Sequence, residues 1–361
     1  MRIFYFAMLL LIINKGFALQ QTLSFSDQNQ YRTKVIIAAV GDLLLHYPLQ
    51  RKASVRGFES LWSRILPFIQ RADIAYVNLE GPMANGITRS GEERAIGDHW
   101  DDKVYSDYPL FNYHPSLASS LKKSGFDIVS TANNHALDRY GIGIDKTLSL
   151  LEHHQIRYTG TRKRGENRSF VTVTNGPIRI AWIACTEHTN GMVDKNKQVL
   201  YCYKSQDQAW ILQSIRKLKH EVDAIIVLPH WGNEYDNYPT RAQKKFARKV
   251  LDNGALAVIG SHPHVLQPME KYKTEDGRET FIMYSLGNFV SFQGTPNNRT
   301  SIILFLELVK TATQTLIRKI KFVPLYMENR SGWEQIHVSI QPQNAIISRL
   351  LPSGNMITQP P

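Results

Sequence analysis

The chain is poor in cysteine, lacks a long internal apolar run and carries no dense basic block. Cys185 and Cys202 are the only cysteines in 361 residues. Two cysteines exclude a disulfide-dense scaffold, and their spacing does not suit a structural zinc site. They permit one bridge closing a short loop, worth ~3 kcal/mol on the chain-entropy account. Cys185 also ends an apolar run, so a plain buried thiol is the alternative. Beyond the first twenty residues no segment is long and apolar enough to span a bilayer. Nucleic acid is not an expected partner. An RNP run, zinc-finger spacing and a Lys/Arg block beside aromatics are all missing. The formal net charge of +12 therefore reads as solubility or as attraction to an anionic substrate. Its densest stretch, TRKRGENR at 161–168, is accounted for by a solvated loop. There is no internal repeat.

Residues 1–20, MRIFYFAMLLLIINKGFALQ, have the layout of an export signal. Arg2 supplies the positive end, Ile3–Ile13 the apolar stretch, and Gly16 and Ala18 the small residues of a cleavage site. Cleavage is expected near Ala18 or Gln20. An uncleaved anchor is the alternative, because Asn14 and Lys15 make the last part imperfect. No cysteine follows the run, which argues against a lipoprotein anchor. The expected location is exported: periplasmic or extracellular, or membrane-attached through an uncleaved N-terminal segment.

Apolar residues make up 43% and charged residues 20%, enough for a sizeable core. Short apolar runs alternate with stretches of helical periodicity. The runs are Val35–Val40, Ile74–Leu79, Phe126–Ser130, Ile178–Ala184, Ala224–Leu228, Ala255–Ile259 and Phe281–Ser285. Helices are expected over 57–72, 115–125, 143–154, 208–220 and 240–254. This alternation predicts a layered α/β fold. From about Ser301 the pattern changes to a hairpin, 301–309 with 317–327, and a third run at 336–342. The expected organisation is a signal (1–20), a main domain (34–292), a C-terminal antiparallel β extension of it (293–345) and a disordered tail (346–361).

The polar residues fall at the ends of the runs. GDLLLH brings Asp42 and His46, NLEGP brings Glu80, and TANNHALDRYG brings Asn133, Asn134, His135 and Asp138. PHWGNEYD brings His230, GSHPHV brings His262 and His264, and SLGNF brings Asn288. Strand ends of an α/β sheet are where ligands bind, so these groups should converge. Imidazole and carboxylate together suit zinc, manganese or iron. Two such ions lower the pKa of a shared water and clamp a phosphoryl or carbonyl oxygen. Each residue alone has an ordinary account: Asp42 as a turn cap, Glu80 as a loop acid, His230 as a core histidine. The coincidence at six strand ends favours a site.

The ordered set GDLLLH, NLEGP, ANNHALDRYG, PHWGNEY, GSHPHVLQP and YSLGNF resembles the CapA family of poly-γ-glutamate capsule synthesis, relatives of the calcineurin-like metallophosphoesterases. The likeness covers roughly Lys34–Phe292. It implies a four-layer α/β/β/α sandwich with two divalent metal ions, Mn, Zn or Fe. By position, Asp42 and His264 would serve the first metal and Glu80 would bridge. Asn134, His230 and His262 would serve the second. His135 would be an acid or oxyanion donor, oriented by Asp138. Asn133, Asn288 and Arg139 are the candidate substrate contacts. The chain departs from the phosphoesterase pattern at Leu44, where a histidine is usual; His46 comes later. The first metal is thus short of a ligand. The function implied is synthesis or processing of poly-γ-glutamate or a related anionic polymer, by hydrolysis of a phosphoester or amide bond. A phosphatase acting on small phosphates or nucleotides is one alternative. A non-catalytic scaffold beside envelope synthesis or export proteins is another.

Overall fold

The apolar runs become strands, and the polar residues that end them gather at one edge of the sheets. The computed structural model describes residues 23–25, 31, 33–95, 101, 103–168, 170–330, 334–339 and 349–350. The expected signal and most of the expected tail lie outside these residues. Within the tail, Leu350 is buried and Arg349 donates to Asn297.

One sheet runs in the order β1 (Leu23–Ser24), β14 (Thr315–Glu328), β13 (Thr300–Lys310), β2 (Thr33–Leu44), β3 (Ile74–Leu79), β4 (Ile128–Ser130) and β5 (Arg157–Thr159). β12 (Asn288–Ser291) also pairs with β2, and β15 (Gln335–Val338) with β14. The second sheet runs β10 (Met269–Lys273), β11 (Glu279–Met283), β9 (Ala257–Ile259), β8 (Ala224–His230), β7 (Ile178–Thr186) and β6 (Val171–Asn175). β2 to β5 are mutually parallel, as are β7, β8, β9 and β11. Parallel strands covered on both faces read as near-continuous apolar runs. Every residue of β3 is buried accordingly.

Three buried clusters separate four layers. Ala38, Val40, Ala75 and Val77 of the first sheet pack against α1 (Tyr47–Arg56), α2 (Leu66–Ile69), α3 (Ser116–Ser124) and α4 (Tyr140–His153). The opposite side chains, such as Ile37, Tyr76 and Leu304, meet Ile180, Trp182 and Ile226 of the second sheet. The far face of that sheet, including Ile183 and Val227, packs on α5 (Ser205–Leu218) and α6 (Arg241–Asp252). This is the α/β/β/α arrangement. Cys185 and Cys202 are bridged, which ties the end of β7 to the segment before α5.

Besides α1, which the expected helices did not include, residues 57–72 differ from expectation. They do not form one helix: turns at Phe58–Leu61 and Ser63–Ile65 precede the short α2. The break is at Trp62, whose φ of −137° is not helical. Its buried indole donates to Ser124 Oγ at 2.7 Å, so tertiary anchoring overrides the local periodicity. The C-terminal hairpin is antiparallel. β13 lies directly against β2, the strand that carries Asp42.

Candidate metal centre

Asp42 stands near the end of β2, opposite Asn78 of β3 on one side and Asn288 of β12 on the other. Gly41 makes the second approach possible. A Cβ there would lie 1.8 Å from the Gly287 carbonyl oxygen. The Asp42 amide instead donates to that oxygen at 3.1 Å. The GSHPHV loop is bent more sharply. His262 has φ 101° and His264 φ 58°, both on the left-handed side that non-glycine residues avoid. Such backbone costs about 1–3 kcal/mol per residue and clusters at functional sites. Here the bend turns both rings inward.

The convergence is close. His230 Nε2 lies 2.9 Å from Asn134 Oδ1, 3.1 Å from His262 Nδ1 and 3.5 Å from Glu80 Oε1. His264 Nδ1 lies 3.3 Å from Asp42 Oδ2, and its Nε2 lies 3.8 Å from Glu80 Oε1. Ligand atoms of Glu80, His262 and His264 all fall within 4.8 Å of one another. The same holds for Asp42, Glu80 and His230, so Glu80 is common to two overlapping sets. Groups behind the cluster fix the far nitrogens: Ser261 Oγ is 3.0 Å from His230 Nδ1, and Asn288 Oδ1 is 2.9 Å from His264 Nδ1. Such partners orient imidazole ligands.

Burial dominates the electrostatics. It pushes Glu80 well above the ordinary carboxylate range, and Asp42 beside it adds to the effect. It pushes His230 well down, helped by the neighbouring His262 and His264. His262 is likewise depressed by burial and by His264. Burial also opposes charge on His264, but Glu80 and Asp42 outweigh it and raise that imidazole to about 9. Both carboxylate oxygens of Glu80 are buried without a hydrogen-bond partner among the described residues. A buried carboxyl group with neither oxygen hydrogen-bonded is expensive. A cation between Glu80 and the imidazoles would compensate it, and this oxygen and nitrogen donor set fits Mn, Zn or Fe.

His135 lies on the loop after β4. Its Nδ1 is 2.7 Å from Asp138 Oδ2, and its ring meets Phe111 edge-on at 4.8 Å. It is near enough to His230 and His262 to disfavour their protonation.

The three candidate substrate contacts are used internally instead. Asn133 accepts from the His135 amide and donates to the Leu79 carbonyl. Asn288 holds His264 and donates to Gln293 and the Asn298 carbonyl. The Arg139 guanidinium is fully buried and donates to the carbonyls of Ile87, Val104, Leu110, Phe111 and Asp138 and to Ser106 Oγ. His46 stays outside the cluster, with Nδ1 near the Leu44 carbonyl and the Phe292 amide and its ring against Phe111.

Other contributors had no role assigned from the sequence. Tyr113 donates to the Glu80 carbonyl, and Asn78 donates to Asp42 at 2.8 Å. The His188 ring lies 5.2 Å from that of His262. Asn78 was visible within NLEGP two places before Glu80, whereas Tyr113 and His188 sit in segments without a motif.

Two packed sheets with a buried carboxylate and imidazole cluster at their strand ends make this an α/β protein of metallophosphoesterase-like architecture. Residues 36–293 match the family described as Bacterial capsule synthesis protein PGA_cap, and the chain belongs to that family. It is 28% identical over 288 residues to the PGA biosynthesis protein CapA of Bacillus subtilis (strain 168), covering 78% of this chain and 70% of that protein. It is 26% identical over 307 residues to the Capsule biosynthesis protein CapA of Bacillus anthracis, covering 82% and 69%. Among solved structures, one from Staphylococcus aureus named as a candidate 5'-nucleotidase aligns with a TM-score of 0.50 at 13% identity, covering 81% of this chain and 54% of that chain. The calcineurin-like phosphoesterase YfkN of Bacillus subtilis gives 0.46 at 14% identity, covering 85% and 91%. The structural likeness is one of fold.

Proposed function

We propose that this chain is an exported, metal-dependent hydrolase of the capsule synthesis family, acting on poly-γ-glutamate or a related anionic envelope polymer. The observation that carries the metal reading is the Glu80 carboxyl group, buried amid Asp42, His230, His262 and His264 with neither oxygen hydrogen-bonded among the described residues. Family membership and the CapA relatives support the polymer. The leader-like residues 1–20 support export, and so does the disulfide, which forms in oxidising compartments. No helix of the described residues is long and apolar enough to cross a membrane.

Two divalent ions held by these residues would supply Lewis acidity toward a phosphoryl or carbonyl oxygen and acidify a water. The chain's own residues do the rest. Asp42 and Glu80 supply negative charge that offsets the cations. Ser261 and Asn288 fix the ring planes of His230 and His264. Asp138 accepts from His135 Nδ1, which leaves Nε2 to carry a proton to or from a substrate oxygen.

The test is metal analysis by inductively coupled plasma mass spectrometry on residues 21–361, beside the His262→Ala, His264→Ala double variant. Metal near two equivalents in the parent and loss in the variant are expected. A parent that takes up neither zinc nor manganese, or a variant that keeps its metal, would sink the reading. Release of glutamate from γ-linked oligomers, against release of phosphate from mono- and diesters, then separates amide from phosphoester chemistry.

A further inference from the structure

The basic stretch at 161–168 is not simply a solvated loop. Its first arginine, Arg162, is only 7% exposed and lines a cavity of about 290 Å³ at the start of α5. Among the described residues, its guanidinium has no hydrogen-bond or ion-pair partner. The two acids of the cavity are already engaged. Asp194 accepts from the amides of Gln198 and Val199. Asp207 accepts from Arg168 and from the Tyr201 amide. Lys197 and Lys204 add exposed cations to the same wall. The Lys204 ammonium sits 3.1 Å above the Tyr201 ring centre.

The helix end adds to this. α5 has fourteen residues, and no side chain caps its first turn. Its opening residues Ser205 and Gln206 line the cavity. Free amides at a helix start attract anions, and a buried guanidinium without a partner is costly until an oxyanion pairs with it. Burial and, after it, the neighbouring Arg168 push the Arg162 pKa down, outweighing the opposite pull of Asp207 and Asp194. The Cys185–Cys202 bridge fixes the wall just before Lys204. Thr189 and Tyr201 hydroxyls, 3.2 Å apart, connect this wall to the segment carrying His188, which faces His262.

We infer that the cavity at the start of α5 is an anion subsite, formed by Arg162, Lys197, Lys204 and the helix amides, that holds a carboxylate of the polymer chain. The choice of carboxylate over phosphate rests on the proposed function; the anion chemistry does not.

The experiment is fluorescence anisotropy of a labelled γ-linked glutamate decamer on the full chain, with and without chelator. Arg162→Gln and, separately, the exposed Lys204→Gln should each weaken binding at least tenfold in both conditions. Lys245→Gln, on α6, should change it less than twofold. Because the chelator arm needs no metal, failure of the hydrolase reading would leave this result intact. Equal weakening by all three variants, or absence of binding, would overturn the subsite. So would binding that chelator abolishes while Arg162→Gln spares it. Inorganic phosphate binding at Arg162 without decamer binding would overturn the carboxylate assignment.

Discussion

His230 Nε2 and His262 Nδ1 lie 3.1 Å apart, in rings that are both buried. Burial, with repulsion from neighbouring imidazoles, holds both in the neutral form. That is the form a metal requires, so these two candidate ligands would bind without losing protons. Glu80 and His264 are the opposite case, because each holds its proton more tightly than an ordinary side chain of its type.

Metal uptake should therefore release protons from Glu80 and His264. With His264 near 9, the metal-free imidazole is protonated at neutral pH and must be neutral to ligate. Affinity should rise with pH up to about 9, by roughly tenfold per pH unit for each proton released. Competition titrations with zinc at pH 6, 7, 8 and 9 measure this. A flat profile would show that neither proton is displaced.

Arg139 should prove a structural residue. It satisfies carbonyls from three loop segments, and its own charge is destabilised by burial, which lowers it to about 10. Arg139→Met should destabilise the fold by about 3–5 kcal/mol, since each unsatisfied buried carbonyl costs about 1–3 kcal/mol. Metal per folded molecule should not change. Denaturant unfolding with metal analysis of the folded fraction checks both; unaltered stability would return Arg139 to the list of substrate contacts.

Much of the site could be read from the sequence because its chemistry is distributed by strand. Asp42, Glu80, Asn134, His230, His262 and His264 each follow an apolar run, and parallel strands bring such ends together. What could not be read was which neighbouring polar groups face outward. Asn133 and Asn134 are adjacent, yet one ties down its own loop and the other meets His230. Arg139 follows Asp138 directly, and only the packing of 104–111 shows that it points into the protein. α1 was hidden for a different reason. Its sequence, YPLQRKASVR, has too few apolar residues for a periodicity to show. The Trp62 break was hidden because its cause, Ser124, is remote in sequence.

The disulfide should matter for stability and for the α5 cavity. It closes a loop of 17 residues, so the Cys185→Ser, Cys202→Ser variant should lose about 3 kcal/mol. Both positions are buried, so the serines add desolvation cost to that figure. The metal content should be retained, because neither cysteine belongs to the cluster. Chemical denaturation with and without reductant reads the effect in the parent chain. Reductant should shift the parent midpoint and leave the variant midpoint in place. No shift in the parent would mean that the bridge contributes nothing measurable.

Gly41→Ala tests whether the seat of Asp42 depends on strand contact. The added methyl would meet the Gly287 carbonyl carbon and oxygen at 2.9 and 1.8 Å. Both are backbone atoms, so relief requires moving β12 away from β2. That movement would break the bond from the Asp42 amide to Gly287 and shift Asn288, which holds His264. Overpacking of this kind costs about 1–3 kcal/mol. Its effect on the site should be larger than its effect on the fold. The expected result is a folded protein with at least tenfold weaker metal affinity, measured by zinc competition beside a thermal melt. The control is Gly277→Ala, where nothing lies within 4 Å of an added Cβ but φ is 86°. That change strains the backbone of an exposed turn and should lower stability without touching metal affinity. Equal metal affinity in both variants would mean that Asp42 is held by its own strand and not by the approach of Gly287.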